Sequence, residues 1–556
     1  MANRTDAEPV DSIRTMPIGG WSAGPRAWWE TRWMAALAIL AAMVPLAYPA
    51  IPPLVDLIGH LGRYRVELGD SLPLERYYDF HWALIGNLGV DVLVMGLAPL
   101  VGLEPAVKLI ALAIPALTVA GFLWVAREVH GRIPPTAYLA IPFAYGQPFL
   151  FGFVNFALAM ALAFLAFGLW LRLSRLGHIR LRQWLFVPIS LIVYFTHAYG
   201  WGALGLLCFS AEAVRLHDRG ERWFTAAFHA ALNASVMALP VIITLLWREG
   251  AGGHTSDWFN WKVKWVWLKG TLRDRWRWFD QASLIVVGAI FFEAMRNPRT
   301  TYSRNLAFSG LVLLVGFVLL PRIVFGSAYA DMRLLPFVFA VFLLAIRFKR
   351  PVPRPLGQGI ALMALLFVAV RLGGNSYSLA IAARDQQAKL GALAHIPTGA
   401  RVVSFYGLSC SGTWALARNS HLGAMVIARR EGFSNDQWYM DGLNLLEIKY
   451  RAAGAFTFDP SEVVRPNRCP DPLHRSIDDA LGRLPRRAFD YLWLIDAPAH
   501  NPRLTSGMDR VWAGAASELY RINLPGAVPP QAIPQTAAAP ARPARAQAGK
   551  SLAARR

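Results

Sequence analysis

The sequence has little charge for its length and lacks the compact motifs of many soluble enzymes. Asp, Glu, Lys and Arg make up only 16% of the 556 residues, whereas 55% are hydrophobic. A zinc-ligand spacing, a Walker loop and a glycine-rich dinucleotide motif are missing. So apolar a chain is not one soluble domain, and no nucleotide-binding function is indicated.

Long apolar runs are what the sequence does contain. They recur along the chain and are long enough to cross a hydrocarbon layer of about 30 Å, which predicts a polytopic membrane protein. The 21 tryptophans fit this class, because indole rings favour the membrane–water boundary. The net charge of +21 comes largely from arginines in short loops, which is typical of cytoplasmic loops facing anionic lipid. Nucleic acid is therefore not an expected partner.

The topology follows from these basic loops. Residues 1–32 are predicted to be a cytoplasmic segment, and the first span runs from Trp33 to Ala50. The first outer loop covers 52–105, with an interfacial helix at 83–101 that has Asn87 and Asp91 on one face. The run 106–126 then crosses. The sequence predicts an all-α membrane domain over 33–374 with about eleven spans and its carboxyl side outside.

Beyond the last span, about 356–373, the pattern becomes that of a small α/β domain at 375–527 on the outer face. We predict strands in "ARVVSFYG", "GAMVIARR" and "FDYLWLIDAP", and helices at 377–393 and 473–484. Cys410 and Cys469 would meet an oxidising compartment there and either pair or stay free. Cys208 is expected to pack within a span. The tail 528–556 is predicted to be disordered.

Four segments carry a resemblance to a known family: "PPLVDLIGHLGRY", "WALIGNLGVDVLVMGLAPLVGLEPAVKLIALAI", "FLFGFVNFALAMALAFLAFGLWLR" and "GSAYADMRLLPF". With the order of spans, loop and outer domain, they make residues 33–370 resemble the C-type glycosyltransferases, which use polyprenyl-phosphate-linked sugars. The resemblance implies that an acid of the first outer loop activates the acceptor or holds a divalent metal such as Mg²⁺ or Mn²⁺. It also implies that basic residues hold the phosphate of the donor.

Asp56 occupies the place of that acid, and an ionised group at the mouth of a membrane cavity is costly unless it is hydrated or paired. It is the expected catalytic base, although it could instead be a solvated loop residue or a helix cap. His60 and Arg63 would share its helical face and could bind substrate. Packing is the alternative for His60, and anchoring in lipid headgroups is the alternative for Arg63.

Two further positions in the same loop are candidates. Asp79 and His81 lie in "ERYYDFHW", where Asp79 could act with Asp56 in catalysis or as a second oxygen ligand to a metal. The alternative for Asp79 is an ordinary acid of a polar loop. His81 is predicted to bind substrate.

Later in the chain, Asp331 and Arg333 stand at the outer start of a span. Arg333 could hold a phosphate bidentately, or the two residues could form a local ion pair. His197, in the short turn "THAYGWG", is a substrate-binding candidate, with structural hydrogen bonding as its alternative; the same alternatives hold for Asn155. The strip "HTSDWFNWKVKWVWLKGTLRDRWRW" should lie on the membrane surface and cover the donor lipid.

The sequence therefore predicts an inner-membrane glycosyltransferase. It would transfer a sugar from a polyprenyl-phosphate carrier to a lipid, glycan or protein acceptor on the periplasmic face. A transporter or flippase of lipid-linked glycans is the first alternative, but polar residues near the midplane and internal repeats were not detected. An assembly component, for which Asp56 would be dispensable, is the second.

Overall fold

The computed structural model describes residues 26–246, 254–350, 352–439, 445–469 and 471–523. A mostly helical part is followed by a carboxyl-terminal sheet domain, which is the predicted order. The predicted cytoplasmic segment 1–32, as far as residue 25, and the predicted disordered tail 528–556 lie outside the described residues.

The helices follow the apolar runs of the sequence. The α-helices are α1 Arg32–Ala41, α2 Val44–Ala47, α3 Leu57–Glu67, α4 Gly89–Val101, α5 Leu103–His130, α6 Gln147–Phe151, α7 Val154–Arg175, α8 Ile179–Thr196, α9 Ala198–Asp218, α10 Trp223–Ala234, α11 Leu239–Leu246, α12 Trp261–Lys269, α13 Arg277–Arg296, α14 Arg304–Leu319, α15 Leu335–Ala345, α16 Arg354–Lys389, α17 Met425–Arg430 and α18 Ile477–Gly482. Further short stretches form 3₁₀ helices, among them Pro135–Tyr145, Asp331–Leu334, Leu390–His395 and Leu422–Ala424.

Within the described ranges, four helices are long and apolar enough to cross a membrane: α5, α7, α13, and α16 with its 3₁₀ extension. The predicted crossing at 106–126 falls within α5. Helices α1, α4 and α14 are apolar but shorter. The count of about eleven spans stays a prediction.

The first predicted span is broken into two helices. α1 ends at Ala41 and α2 begins at Val44. Pro45 explains the break, because its ring clashes with the carbonyl group of Ala41, four residues earlier, and it has no N–H to donate. The chain then turns into the first outer loop.

The predicted interfacial helix is shorter than expected. α4 begins at Gly89 instead of residue 83, so Asn87 precedes the helix and does not share a helical face with Asp91. Gly89 packs so closely on Thr196 that a Cβ atom there would lie 2.4 Å from Cγ2. Asn155 Nδ2 donates to the carbonyl of Asn87 and to the Asp91 carboxylate, so tertiary contacts set the helix start.

α16 joins two elements that the sequence predicts to be separate, the span at about 356–373 and the helix at 377–393. It is one helix of 36 residues, about 54 Å long, and it runs through the predicted boundary at 374/375. Gly374 lies against Phe279, where a Cβ atom would meet the ring at 2.6 Å. Asn375 donates to Asp274 from α16, so this polar, glycine-containing stretch is held by the contacts of its neighbours.

The carboxyl-terminal domain is built on one mixed sheet. Its strands are β4 Arg401–Gly407, β5 Phe433–Ser434, β7 Val463–Arg465, β8 Arg475–Ser476, β9 Tyr491–Ile495, β10 Met508–Gly514 and β11 Ser517–Ile522. The order is β10-β11-β9-β4-β7-β8, with β5 also beside β4. The pairs of β4 with β5, β7 and β9 are parallel, and β9, β11 and β10 are antiparallel.

The predicted strands "ARVVSFYG" and "FDYLWLIDAP" are confirmed as β4 and β9. The predicted strand "GAMVIARR" is wrong, because it forms a 3₁₀ turn and then α17. A short buried apolar run fits either structure by pattern alone. The predicted helix at 473–484 is limited to α18, Ile477–Gly482. Cys410 and Cys469 form a disulfide, and Cys208 is free and buried.

The first outer loop and the sheet domain are joined along a seam. β1 Tyr78–Phe80 pairs antiparallel with β6 Leu446–Ile448, and α17 packs on α3. Gly59 and Gly62 of α3 allow this contact, because Cβ atoms there would lie 2.5 Å from the Trp438 ring and 2.8 Å from Gln437 Nε2. The seam therefore places the start of α3 against the sheet domain. In a separate small sheet, β2 Thr300–Tyr302 pairs with β3 Ile346–Phe348.

Candidate active site

Asp56 is fixed at the seam by its backbone. Its N–H donates to the carbonyl of Phe151 at 2.9 Å. Gly152 has φ +101°, and a Cβ atom at that position would lie 2.6 Å from the Asp56 nitrogen, so glycine permits the approach. Asp56 is the N-cap residue of α3 by position, but its side chain makes no capping hydrogen bond to the helix. Its carboxylate is 14% exposed and points toward the sheet domain.

His421 of the sheet domain lies between Asp56 and a second carboxylate. Its Nε2 is 3.7 Å from Asp56 Oδ1, and its Nδ1 is 2.6 Å from Asp436 Oδ1. The N–H of Ala424 donates to the other oxygen of Asp436 at 3.0 Å. Asp436 therefore holds the imidazole so that its outer nitrogen faces Asp56.

Burial and neighbouring charges shift the pKa values of this group. Burial raises the pKa of Asp56 to about 7, opposed by His421 and Arg333 and reinforced by Asp459 and Asp436. Burial alone would lower the pKa of His421, but Asp436 and then Asp56 raise it to about 9. Burial raises the pKa of Asp436 to about 6 against the attraction of His421. A carboxyl that titrates near neutral pH can take up a proton in a reaction.

Arg333, which precedes α15, is a buried basic group of the helical part. It is 6% exposed, and no carboxylate of a described residue lies within 4.0 Å of it. Its guanidinium bonds His197 Nε2 at 3.2 Å and Ser327 Oγ at 3.2 Å, and lies over the Phe153 ring at 4.5 Å. Its charge lowers the pKa of Asp56, and the Phe153 ring beneath it is two residues from the Phe151 carbonyl group that binds the Asp56 N–H. The structure thus brings together Asp56, His197 and Arg333.

Asp331 does not pair with Arg333, so the local ion pair considered above is wrong. Its carboxylate binds Lys264 of α12 at 3.1 Å instead, and both side chains are buried. Lys264 also donates to the carbonyls of Phe317 and Leu320. Asp331 therefore fastens α12 to the start of α15, and Arg333 is left without a carboxylate partner among the described residues.

No described contact joins the side chain of His60 or Arg63 to the Asp56 carboxylate. The His60 ring lies 5.0 Å from the Trp438 ring, within the seam. Arg63 is 4% exposed and binds Asp91 at 2.6 Å, so it is neither free for phosphate nor placed among headgroups. Asn155 also donates a hydrogen bond to Asp91, so it belongs to the same buried group as Arg63.

Asp79 lies elsewhere, at a cleft of about 380 Å³ beside the end of α3, and His81 is next to Asp79 without lining the cleft. Asp79 is 46% exposed, and its neighbours are His81 at 3.6 Å and Lys449 at 3.7 Å. Glu67 and Trp82 also line this cleft. Asp79 makes no ion pair with the residues around Asp56 in the described parts of the chain.

Sequence analysis missed His421, Asp436 and Glu462. None belongs to a recognisable motif, and they follow or precede strands that are far apart in the sequence. The usable signal was their position beside strands: Asp436 is the second residue after β5 and Glu462 directly precedes β7, and both strands pair with β4.

Comparison with known proteins gives no family. No family model matches the chain, and no curated protein matches it. Among solved structures, the chain is similar to ArnT from Cupriavidus metallidurans bound to undecaprenyl phosphate. The two are 12% identical with a TM-score of 0.47, over 88% of this chain and 97% of that one. A similarity at this level assigns neither family nor activity to the chain.

Proposed function

We propose that this protein is a membrane glycosyltransferase that moves a sugar from a polyprenyl-phosphate carrier to a hydroxyl acceptor on the outer face. One observation carries the proposal: Arg333, a buried guanidinium without a carboxylate partner among the described residues, lies over Phe153, two residues from the Phe151 carbonyl group that binds the Asp56 N–H. A buried cation of this kind favours an anionic ligand, and a guanidinium matches two phosphate oxygens.

The reaction uses the two groups in complementary roles. The acceptor hydroxyl oxygen attacks the anomeric carbon, and its proton passes to the Asp56 carboxylate. The bond from the anomeric carbon to the phosphate oxygen breaks, and its electron pair leaves with the phosphate. Arg333 stabilises the charge that develops there, with His197 beside it. A single displacement of this kind inverts the anomeric configuration.

The lipid part of the donor would lie under α12. Lys264 fastens this helix beside Arg333, while Trp258, Trp261 and Trp265 are more than half exposed. Exposed indole rings next to a phosphate site suit an isoprenoid chain entering from the bilayer. This agrees with the expectation that the tryptophan-rich strip covers the donor.

The cleft beside α3 is suited to the acceptor. Trp82 supplies an aromatic face, and Asp79 and Lys449 supply exposed groups that can bond hydroxyls. We therefore assign Asp79 and His81 to acceptor binding instead of to the chemical step. Mg²⁺ or Mn²⁺ on Asp56 and Asp79 is not favoured, because no described contact brings these two carboxylates together.

The test of the proposal is lipid-phosphate binding by Arg333. The purified protein should bind a polyprenyl phosphate, and Arg333→Gln should weaken binding by on the order of tenfold or more, because a charge-assisted contact is lost. Arg333→Lys should recover part of the affinity, since charge returns without the bidentate geometry. Arg483→Gln, which changes an exposed arginine of the sheet domain, is the matched control. Equal affinity of all four proteins would refute the proposed phosphate site.

A further inference from the structure

Three residues of the sheet domain, one of which contacts Asp56, bring potential metal-ligand atoms close together. One atom each from His421, Asp436 and Glu462 lies within 4.8 Å of the others, and all three residues are buried. Ligands about 2.0–2.2 Å from one cation lie roughly 3–4.4 Å apart, so small shifts would close this set around an ion. The three residues come from loops next to β4, β5 and β7, at one region of the sheet.

Glu462 is the member of the set whose burial is not compensated by hydrogen bonds. It is 1% exposed, and neither carboxylate oxygen accepts a hydrogen bond from any described residue. A buried carboxylate without a donor is unfavourable unless a proton or a cation neutralises it. Asp459 places a second carboxyl group beside it.

The two ring nitrogens of His421 face different carboxylates. Nδ1 is 2.6 Å from Asp436, which is itself fixed by the Ala424 N–H, and Nε2 is 3.7 Å from Asp56. Nδ1 is therefore the nitrogen that would bind an ion together with Asp436, while Asp56 would be the partner of the other nitrogen. The set therefore combines an oriented imidazole with a buried carboxylate that lacks donors.

We propose that His421, Asp436 and Glu462 bind a divalent transition-metal ion, Mn²⁺ or Zn²⁺ in preference to Mg²⁺. The imidazole ligand suits Zn²⁺ and the two carboxylates suit Mn²⁺, whereas Mg²⁺ prefers oxygen ligands only and retains several waters. The bound ion would tie together three loops of the sheet domain. Because His421 also faces Asp56, the ion would position the imidazole at the edge of the proposed active site. The inference rests on these donors and not on the proposed glycosyl transfer.

The experiment uses the full-length protein, purified in detergent and stripped with a chelator. Metal content after readdition and dialysis is measured by mass spectrometry, and thermal unfolding is followed with each ion. We expect about one equivalent of Mn²⁺ or Zn²⁺ per chain and a higher unfolding temperature, since a ligand that binds the native state stabilises it. Mg²⁺ at the same concentration should do neither.

Glu462→Gln keeps the shape of the side chain and should reduce affinity for the ion on the order of 10–100-fold. Asp471→Asn is the control, because Asp471 also contacts a histidine, His474 at 3.1 Å, but belongs to no set of three ligands in the described residues. If Glu462→Gln does not fold, the wild-type measurements decide alone. Wild-type protein that retains neither Mn²⁺ nor Zn²⁺, or a Glu462→Gln variant that binds like wild type, would overturn the proposal. Transfer activity is not a readout, so failure here leaves the proposed function standing.

Discussion

Glu67 illustrates, at the scale of single residues, how burial controls charge in the first outer loop. It is 4% exposed, and its carboxylate oxygens accept no hydrogen bond from a described residue. Burial and then Asp91 raise the pKa of Glu67 to about 8, while Arg63 opposes the shift. The folded protein therefore holds a proton here that the unfolded chain releases near its ordinary pKa of 4.5.

This difference predicts a pH dependence of stability. Between pH 4.5 and about 8 the native state binds the extra proton, so the contribution of Glu67 falls as pH rises through that window and is constant above it. Glu67→Gln should remove this component. Its unfolding temperature, relative to wild type, should rise steadily from pH 5 to pH 8.5. Glu75→Gln, at an exposed position in the same cleft, should leave the wild-type slope unchanged, and a pH-independent difference for Glu67→Gln would contradict the account.

Residues of the site differ in how far the sequence could predict them. Asp56 could be proposed because it follows the first apolar run, and its charge there needs an explanation. Its partner His421 could not, since only the pairing of β1 with β6 and the packing of α17 on α3 bring the two together. Arg333 could be proposed from its position before a span. The sequence could not show that Asp331 pairs with Lys264 and so leaves Arg333 without a carboxylate partner among the described residues.

At the scale of elements, α12 can be tested separately from the residues that are proposed to carry out the chemical step. Its buried side holds Lys264 on Asp331, and its outer side exposes Trp261 and Trp265. If these rings cover the isoprenoid chain, their effect should depend on the length of that chain. The helix would then contribute to donor binding and not to the chemical step.

The double variant Trp261→Ala, Trp265→Ala should raise KM for a long-chain polyprenyl-phosphate sugar several-fold and leave kcat nearly unchanged. KM for a donor with a single short isoprenoid chain should change little, because burial of apolar area scales with chain length. Initial transfer rates with the two donors measure this. Trp184→Ala, at an exposed tryptophan of α8, serves as the control. Equal losses with both donors would contradict the proposed contact.

Elements were predictable where local pattern and tertiary packing agree. The apolar strands β4 and β9 follow from their sequences alone. The sequence predicted two elements where α16 is one helix, with the division near Gly374. Nothing in the local sequence shows that contacts with Phe279 and Asp274 support the helix at that point. "GAMVIARR" was assigned to the wrong element, since its three buried apolar residues in succession satisfy a strand as well as a short helix.

At the scale of the whole molecule, the proposed transfer reaction requires the sheet domain and Asp56 to lie on the outer face of the membrane. The basic loops predict this side, and the disulfide between Cys410 and Cys469 is of the kind that persists in oxidising compartments. With these cysteines paired and Cys208 buried, a new exposed cysteine can report the side on which its domain lies.

Arg483→Cys places a thiol on an exposed position of the sheet domain. Arg219→Cys places one in the basic loop "RLHDRGER" (215–222), which the arginine pattern predicts to be cytoplasmic. A membrane-impermeant maleimide should label Arg483→Cys in cells whose inner membrane is intact. It should label Arg219→Cys only after permeabilisation. The reverse pattern would put the sheet domain, and Asp56 with it, on the cytoplasmic side.

The central claim is that the Asp56 carboxylate accepts the proton of the acceptor during sugar transfer. Its most direct test is the transfer rate from a labelled polyprenyl-phosphate sugar by purified Asp56→Asn, which keeps the shape of the side chain and removes the base. We predict a fall in kcat on the order of 10²–10⁴-fold, with donor binding retained through Arg333. Undiminished turnover by Asp56→Asn would contradict the account.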